Sequence, residues 1–507
     1  MPESRPTETE LKFLVGPKAA DELRAHPALK APERTQHLRS IYYDTPGWRL
    51  HRERVALRLR DTGRGMVQTL KQYGGDGAFS RGEWERKVRG DRIDLDALKD
   101  TPAAAALCDD DGELEPVFVT TVERNVRRCA EDGALIEVGY DVGELEAGDR
   151  RTPIQELELE LKHGEPAALF ALARRLAADV DIRLSFESKS ERGYRLADDA
   201  ELEPRTSQII PLDPKMSAAA AFKALAISCL GQAAANAEIL GDHARPEAVH
   251  QMRIGLRRLR AVMKAFEPML PGTDGEAVDD ELKWLAGELD HARNLDVLIS
   301  SSYVRAVQSL DATGFAALGR RLLEAQTKAY RRAGSVARSR RCARLWLEAA
   351  AWIEAGDWTS SDDPIATRAR EKPIQAFAAE ALDHLRKVVR KRGRLWDRLD
   401  ARGRHKLRIR AKRMRYAAEL FSPLFRRDAG GRKAFLGPLK QMQGCLGDLN
   451  DVDSARDKAL SESMADEPEL AFALGRVVGW REFDEPALKG AAAKAVKLFC
   501  KAEPFWR

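Results

Sequence analysis

Along Glu156-Leu157-Glu158-Leu159-Glu160-Leu161 three carboxylates alternate with three leucines, so a strand of period two sets the acids on one face and the leucines on the other. The same inside-out pattern places Glu8, Glu10 and Lys12 opposite Leu11, Phe13 and Val15. In Leu57-Arg58-Leu59-Arg60 both arginines share a face; Thr69 and Lys71 share one, as do Arg81, Glu83 and Glu85, and Glu137 and Asp141 lie opposite Ile136, Val138 and Tyr140. Asp61-Thr62-Gly63 and Glu131-Asp132-Gly133 supply turns of the kind antiparallel hairpins use. One such strand is an ordinary sheet edge with a wet face. Recurrence over residues 8 to 190 implies a closed sheet with a charged lumen and a covered exterior.

Such a lumen suits a polyanion held with metal ions. Carboxylate oxygens are the hard ligands that Mg²⁺ and Mn²⁺ prefer, and arginine forks and lysines grip phosphate oxygens. No base-reading or aromatic cluster stands out among these segments, which favours a small unadorned polyanion over a nucleotide.

The net charge of +5 conceals a split: residues 1–200 hold 32 Lys+Arg against 39 Asp+Glu, net −7, and the remainder holds 53 against 41, net +12. The acidic part should want cations and the basic part anions. Cys108, Cys129, Cys229, Cys342, Cys445 and Cys500 lie far apart with no CxxC, so reduced thiols and a cytoplasmic setting are expected. The N-terminus has no apolar signal region and no run of about 18 apolar residues is evident, so no membrane association is expected.

Residues 197 to 217 read as a linker ending at a helix N-cap, Ser217, and beyond it Ala-rich stretches with three- and four-residue spacing predict long amphipathic helices. This half contains a repeat. Val249–Arg260 aligns with Arg404–Arg415 at an offset of 155 residues, and each copy precedes a second matched segment, Leu282 to Val297 and Leu439 to Asp453. At about 100° per residue, His250, Arg253, Arg257, Arg260 and Lys264 fall within a sector of about 80°. His405, Arg408, Lys412 and Arg415 do the same. Two copies with histidine in the same place, and no acids at i+4 to neutralise them, argue for an anion-binding groove. Asp296 and Asp451 read as packing or turn residues.

The first half resembles the CYTH domains of the triphosphate tunnel metalloenzymes, over about residues 6 to 200. The matching pieces are Glu8-Thr9-Glu10-Leu11-Lys12, Ile41 to Pro46, Leu57 to Arg60, Lys71, Arg81 to Trp84, Phe118 to Arg124, Ile136 to Asp141, Glu156 to Lys162 and Ser188 to Tyr194, in the family's order. The resemblance implies an α+β chain whose N-terminal part is an eight-stranded antiparallel tunnel with flanking helices. By position, Lys12, Arg58, Arg60, Lys71, Arg124 and Lys189 would hold phosphates, with Lys12 or Lys189 stabilising the leaving group. Glu8, Glu10, Asp141, Glu156, Glu158 and Glu160 would hold one or two Mg²⁺ or Mn²⁺ ions, with Glu83 and Glu137 in support.

The second half resembles a CHAD domain, at both histidine-arginine helices and both Leu-rich segments. That implies two pseudo-symmetric four-helix bundles with a basic channel for inorganic polyphosphate. In the first copy Leu289-Asp290-His291-Ala292-Arg293-Asn294 departs from the pattern kept as Leu446-Gly447-Asp448. The boundaries expected are a tunnel domain at 1–203, a linker at 204–217 and a helical domain at 218–507.

Together these readings predict a metal-dependent inorganic triphosphatase that cleaves tripolyphosphate to pyrophosphate and phosphate, with a polyphosphate-binding module that could hold it on polyphosphate granules. The alternatives are a non-enzymatic polyphosphate-binding or targeting protein, and a thiamine triphosphatase or adenylate cyclase using the same tunnel. Nucleic-acid binding is disfavoured because the basic faces carry few stacking aromatics.

Overall fold

The computed structural model describes residues 7–16, 18–72, 79–107, 113–242, 245–272, 274–310, 313–425, 429–461, 467–483 and 485–507; of these, 7, 8, 80, 81, 105, 106, 241, 242, 301, 450–461 and 480–483 are described as backbone alone. The side chains of Glu8, Arg81, Cys108 and Asp451 therefore lie outside the described residues. The chain is α+β, with strands in its first part and helices after them, and it divides into two compact units.

The first unit is built on nine antiparallel strands: β1 Thr7–Val15, β2 Arg34–Asp44, β3 Val55–Asp61, β4 Met66–Gln72, β5 Ser80–Val88, β6 Glu115–Glu131, β7 Ala134–Ala147, β8 Arg150–His163 and β9 Ile182–Ser185. Their order is β5-β4-β3-β2-β6-β7-β8-β1-β9, with a further pairing of β5 to β1. Strand β1 divides its edge: Thr7–Thr9 pair with β5, which links the two ends of the eight-strand run, and Lys12–Val15 pair with β9. The four-residue β9 is the strand that the sequence reading of eight did not include.

The outward side chains are covered as the alternation requires. Leu11, Phe13, Leu157 and Leu159 are almost fully buried, and the helix Pro166–Asp179 supplies Leu169, Phe170 and Leu172. Outside β3 and β4, Leu57 and Leu70 pack with Leu50, Leu98 and Ala103. The inner face is charged only part of the way along. Beyond Arg124, Asp141 and Glu156 the same alternation continues as Val122 and Phe118, as Leu145, and as Ile154, which cluster with Tyr42 and with Tyr194 of the helix Lys189–Ala197. Gly193 lets that helix approach closely, since a Cβ there would lie 2.2 Å from Phe118. The helix thus fills the apolar end of the lumen and leaves its first residue, Lys189, facing the charged part.

A latch holds the helix in place. The Asp44 carboxylate is fully buried and accepts hydrogen bonds from the Leu50 and His51 amides and from the Tyr194 hydroxyl at 2.7 Å. The Ser188 hydroxyl accepts from the Glu191 amide, and the Glu191 carboxylate accepts from the Ser188 amide, a reciprocal cap at the helix start. The unit also takes in Leu230–Ile239 and Arg338–Thr359. Within it Arg174 pairs with Glu348 at 2.8 Å, and Gly231 lies against Phe186.

The second unit is helical. The helices Ala218–Asp242, Pro246–Ala265, Asp274–Glu288 and Phe315–Ala337 are matched in order by Ile374–Gly393, Ala401–Phe421, Ala429–Ser461 and the C-terminal helices Pro468–Phe483 and Glu485–Lys501. This is the duplication seen in the sequence, with Ala218–Asp242 contributing residues to each unit. In the first copy the third helix ends at Glu288 and resumes at Asp290, whereas in the second it runs unbroken past the Leu446-Gly447-Asp448 position. Asp296 accepts from Gln326 and Tyr330 at 2.8 and 2.9 Å, a packing role. One correction concerns apolar runs: Ala218–Leu240 is long and apolar enough to cross a membrane, and 67% of its most apolar window is buried inside the fold. Alanines scattered along it hid the run from inspection.

Candidate active site

Strand register fixes the layout of the lumen. Glu10 of β1 stands opposite Glu160 of β8, which stands opposite Glu137 of β7, giving a row of three acids. One step inward Lys12 faces Glu158, and the next row joins Glu156, Asp141, Arg124 and Gln36 across four strands. On the other wall Arg58 and Arg60 of β3 lie beside Tyr42 and Ser40 of β2, and Lys71 of β4 lies opposite Glu83 of β5. Acids thus gather on β7, β8 and β1, and cations on β3 and β4.

A cavity of about 210 Å³ runs between these walls, smaller than the roughly 300–1,000 Å³ of sites for drug-sized ligands. Glu10, Lys12, Glu158 and Glu160 line it on one side and Arg58, Arg60 and Lys71 on the other, with Glu83, Arg124, Glu137 and Lys189 between. Asp141 and Glu156 do not line it; they are buried behind Lys189. The Lys189 ammonium lies 2.7 Å from Asp141 and 2.8 Å from Glu158, and pairs also with Glu156, whose second oxygen pairs with Arg192. Arg124 binds both oxygens of Asp141 and also reaches Glu158.

Burial alone would weaken the charge on each of these groups, but their mutual attraction outweighs it. Glu158 is held well below the usual carboxylate range because Arg124, Lys189 and Lys12 overcome its burial. Lys189 is raised because Asp141, Glu156 and Glu158 overcome its burial. Arg60 behaves oppositely: burial, with Arg58 and Arg124 nearby, pushes it down to about 10, an excess of positive charge seeking an anion. Tyr42 would be raised by burial, yet Arg58 and Arg60 pull its phenol below the ordinary value.

Asp141, Glu156 and Glu158 bring ligand oxygens within 4.8 Å of one another and could hold a metal ion. Lys189 already balances them. The outer row is a second candidate: the Glu10 Oε2 atom is buried and accepts no hydrogen bond, with the Lys12 ammonium 3.8 Å away, and Glu160 and Glu137 adjoin it, paired with Lys162 at 2.5 Å and Arg128 at 3.1 Å respectively. All the donors are carboxylate oxygens, the set hard divalent cations take.

The lumen also contains residues that the sequence reading did not assign. Tyr42, Gln36, Lys162, Ser188 and Ser190 line the cavity, and so does Glu85, which shares a face with Glu83 in the strand pattern. Tyr42 and Gln36 share parity on β2, a signal their uncharged side chains muted. Arg192 follows Lys189 by three helical positions, and that spacing could have found it.

On the first basic helix, burial and the neighbouring Arg293 lower the His250 pKa, and its Nδ1 is buried without a hydrogen bond. Arg253 donates to the Ala286 carbonyl and pairs with Asp290, Arg257 donates to the Arg253 carbonyl, Arg260 pairs with Asp279 at 2.6 Å, and Lys264 pairs with Glu267. On the second, His405 is exposed, Arg408 and Lys412 are half-buried, and Arg415 pairs with Glu419, an acid at i+4. The face is therefore more compensated than the absence of interleaved acids suggested, because Asp279 and Asp290 reach it from neighbouring helices.

The CYTH domain model matches residues 6–194, the span of this antiparallel sheet with its charge inside and a helix lodged in one end. The CHAD domain model matches residues 224–460. The chain thus carries a CYTH domain followed by a CHAD domain. It is 32% identical over 200 residues to an inorganic triphosphatase of Haemophilus influenzae, covering 37% of this chain and 54% of that one. The match thus spans about half the length of that relative. An uncharacterized protein of Mycobacterium tuberculosis is 25% identical over 458 residues, 85% of this chain and 83% of that one. The CHAD domain from the plant Ricinus communis superimposes with a TM-score of 0.51 at 29% identity, covering 60% of this chain and 98% of that one.

Proposed function

We propose that this protein is a metal-dependent inorganic triphosphatase that cleaves tripolyphosphate to pyrophosphate and phosphate, with a C-terminal module that binds inorganic polyphosphate. The observation that carries the reading is the segregation of the lumen, with Arg58, Arg60 and Lys71 on one wall and Glu10, Glu137 and Glu160 on the other. A triphosphate lying between them meets guanidinium and ammonium donors for its oxygens on one side. On the other, Glu8, Glu10 and Glu160, supported by Glu137 and Glu158, would hold Mg²⁺ or Mn²⁺. A bound ion of this kind neutralises phosphate charge and lowers the pKa of a coordinated water.

The side chains have separate tasks. Arg58, Arg60 and Lys71 orient the chain of phosphates, with Glu83 fixing Lys71 at 3.3 Å. Lys12 and Lys189 stand at the inner end, where a full positive charge stabilises the leaving pyrophosphate. Asp141 and Glu156 keep Lys189 charged and aimed. Tyr42 adds a polar hydroxyl rather than a stacking platform, because its ring lies against Phe118 at 4.4 Å between centroids. With no free aromatic face among the described lining residues, inorganic triphosphate fits better than a nucleotide or thiamine triphosphate.

The activity of the Haemophilus influenzae relative supports the hydrolytic reading, and the basic helices with His250 and His405 support polyphosphate as the ligand of the helical half. A cytoplasmic protein resident on polyphosphate granules is consistent with both. The test is phosphate release from tripolyphosphate, ATP, thiamine triphosphate and long-chain polyphosphate with Mg²⁺ or Mn²⁺, for wild type and Glu10→Gln. Turnover of tripolyphosphate that is lost in the variant supports the proposal. Absence of turnover with any substrate would leave a binding protein.

A further inference from the structure

The helical unit contains a second cavity, of about 750 Å³, whose character is unlike the lumen's. Its floor is apolar: Phe377, Leu385, Val388 and Val389 come from the helix Ile374–Gly393, and Ile365 and Ala369 from the helix Pro364–Glu371. Ile365 is 72% exposed, an unusual position for a large aliphatic side chain bordering a cavity. The rim is cationic, with Lys264, Arg368, Lys372, His384, Arg410 and Arg413 against two acids, Glu267 and Glu380. Those acids are already taken by Lys264 at 2.5 Å and Lys372 at 2.7 Å. Arg368, Arg410 and Arg413 have no carboxylate partner among the described residues.

We infer that this cavity binds a single-chain amphiphile with an anionic head, its alkyl tail on the floor and its head among the three arginines. Polyphosphate is a poor occupant, because it is charged along its whole length and gains nothing from an apolar floor. Of the basic-face residues only Lys264 borders the cavity; His250, Arg253, His405 and Arg408 do not. A second copy of this basic unit would bring like charge to the rim. A fatty tail gains with every CH₂ it buries, and planar guanidinium forks match a phosphate or carboxylate head. The inference is independent of the triphosphatase proposal.

The experiment is equilibrium dialysis of dodecyl phosphate, below its micelle threshold, against the full chain, with dodecyltrimethylammonium as the cationic control. Saturable one-to-one binding of the phosphate, at least tenfold tighter than that of the cation, is expected. Ala381→Trp and Ala369→Trp, which fill the cavity from different helices, should each weaken it tenfold or more, as should Arg410→Glu with Arg413→Glu. Melting curves check that each variant folds. Equal binding of the cation, binding unchanged by both tryptophans, or no saturable binding would overturn the inference. Displacement by long-chain polyphosphate with no effect of either tryptophan would reassign the rim to polyphosphate.

Discussion

Glu10 and Glu160 occupy one cross-strand pair of β1 and β8, two acids placed directly opposite each other. Like charges so placed destabilise a sheet unless a cation lies between them. Mg²⁺ or Mn²⁺ should therefore raise the melting temperature, by the equivalent of about 2.7 kcal/mol at a hundredfold excess over Kd. Glu160→Gln should gain less from metal than wild type does. Differential scanning calorimetry with and without Mn²⁺ decides; an undiminished metal response in the variant would remove Glu160 from the ion site.

Lys189 should be a structural residue as well as a functional one. Replacing it with Met leaves Asp141, Glu156 and Glu158 facing one another in a buried site, and breaking such a pair costs about 3–5 kcal/mol. Denaturant titration should show that loss, with partial recovery when Mn²⁺ is added. An unchanged midpoint would mean that Arg124 and Arg192 suffice to balance the acids.

Gly193→Ala should disturb the site without touching it. The new methyl would meet Phe118 at 2.2 Å, and overpacking of this kind costs about 1–3 kcal/mol. The helix start bearing Lys189 should move with it. Phosphate release should fall severalfold with tripolyphosphate KM raised; wild-type kinetics would show that the helix is not anchored through Gly193.

The Glu238 carboxyl is raised to about 7, first by burial and then by Glu187, against the pull of Arg205, Arg192 and Arg195. Its unfolded-state value is 4.5. Between those values the folded chain binds the extra proton, so the stabilising contribution is whole below pH 4.5 and is lost as pH rises to about 7, on the order of 3 kcal/mol. Glu238→Gln should flatten the decline in melting temperature from pH 5 to pH 8. Parallel pH profiles for the two proteins would contradict this.

Cutting the chain at residue 204 should cost the tunnel stability, although the composition shift there invites the cut. Leu230–Ile239 and Arg338–Thr359 belong to the same compact unit as the sheet, and Arg174 and Phe186 lose Glu348 and Gly231. A fragment of residues 1–204 should melt at least several degrees lower than one retaining the linker and both segments, or fail to stay in solution.

Period-two alternation made the lumen legible, because charge at Glu156, Glu158 and Glu160 can face inward only if Leu157 and Leu159 face a covering layer. It could not say where the charge stops. Phe118 and Val122 share the inner face with Arg124, and only the helix lodged against them explains why apolar side chains belong there. Pairings between elements were likewise hidden: nothing local joins Arg192 to Glu156, or Asp279 to Arg260. The discontinuous first unit was illegible for the same reason, since Gly231 reads as one more small residue in an Ala-rich helix.

The helix Lys189–Ala197, wedged against Phe118, bears on the order of events at the site. A bore stopped at one end cannot be threaded, so a long phosphate polymer could present only a terminus and would have to let go after each cut. Whatever fragment forms deepest must wait for the shallower one to depart. With the proposed triphosphatase activity, the chain would trim short phosphate chains and be inhibited by pyrophosphate more strongly than by phosphate.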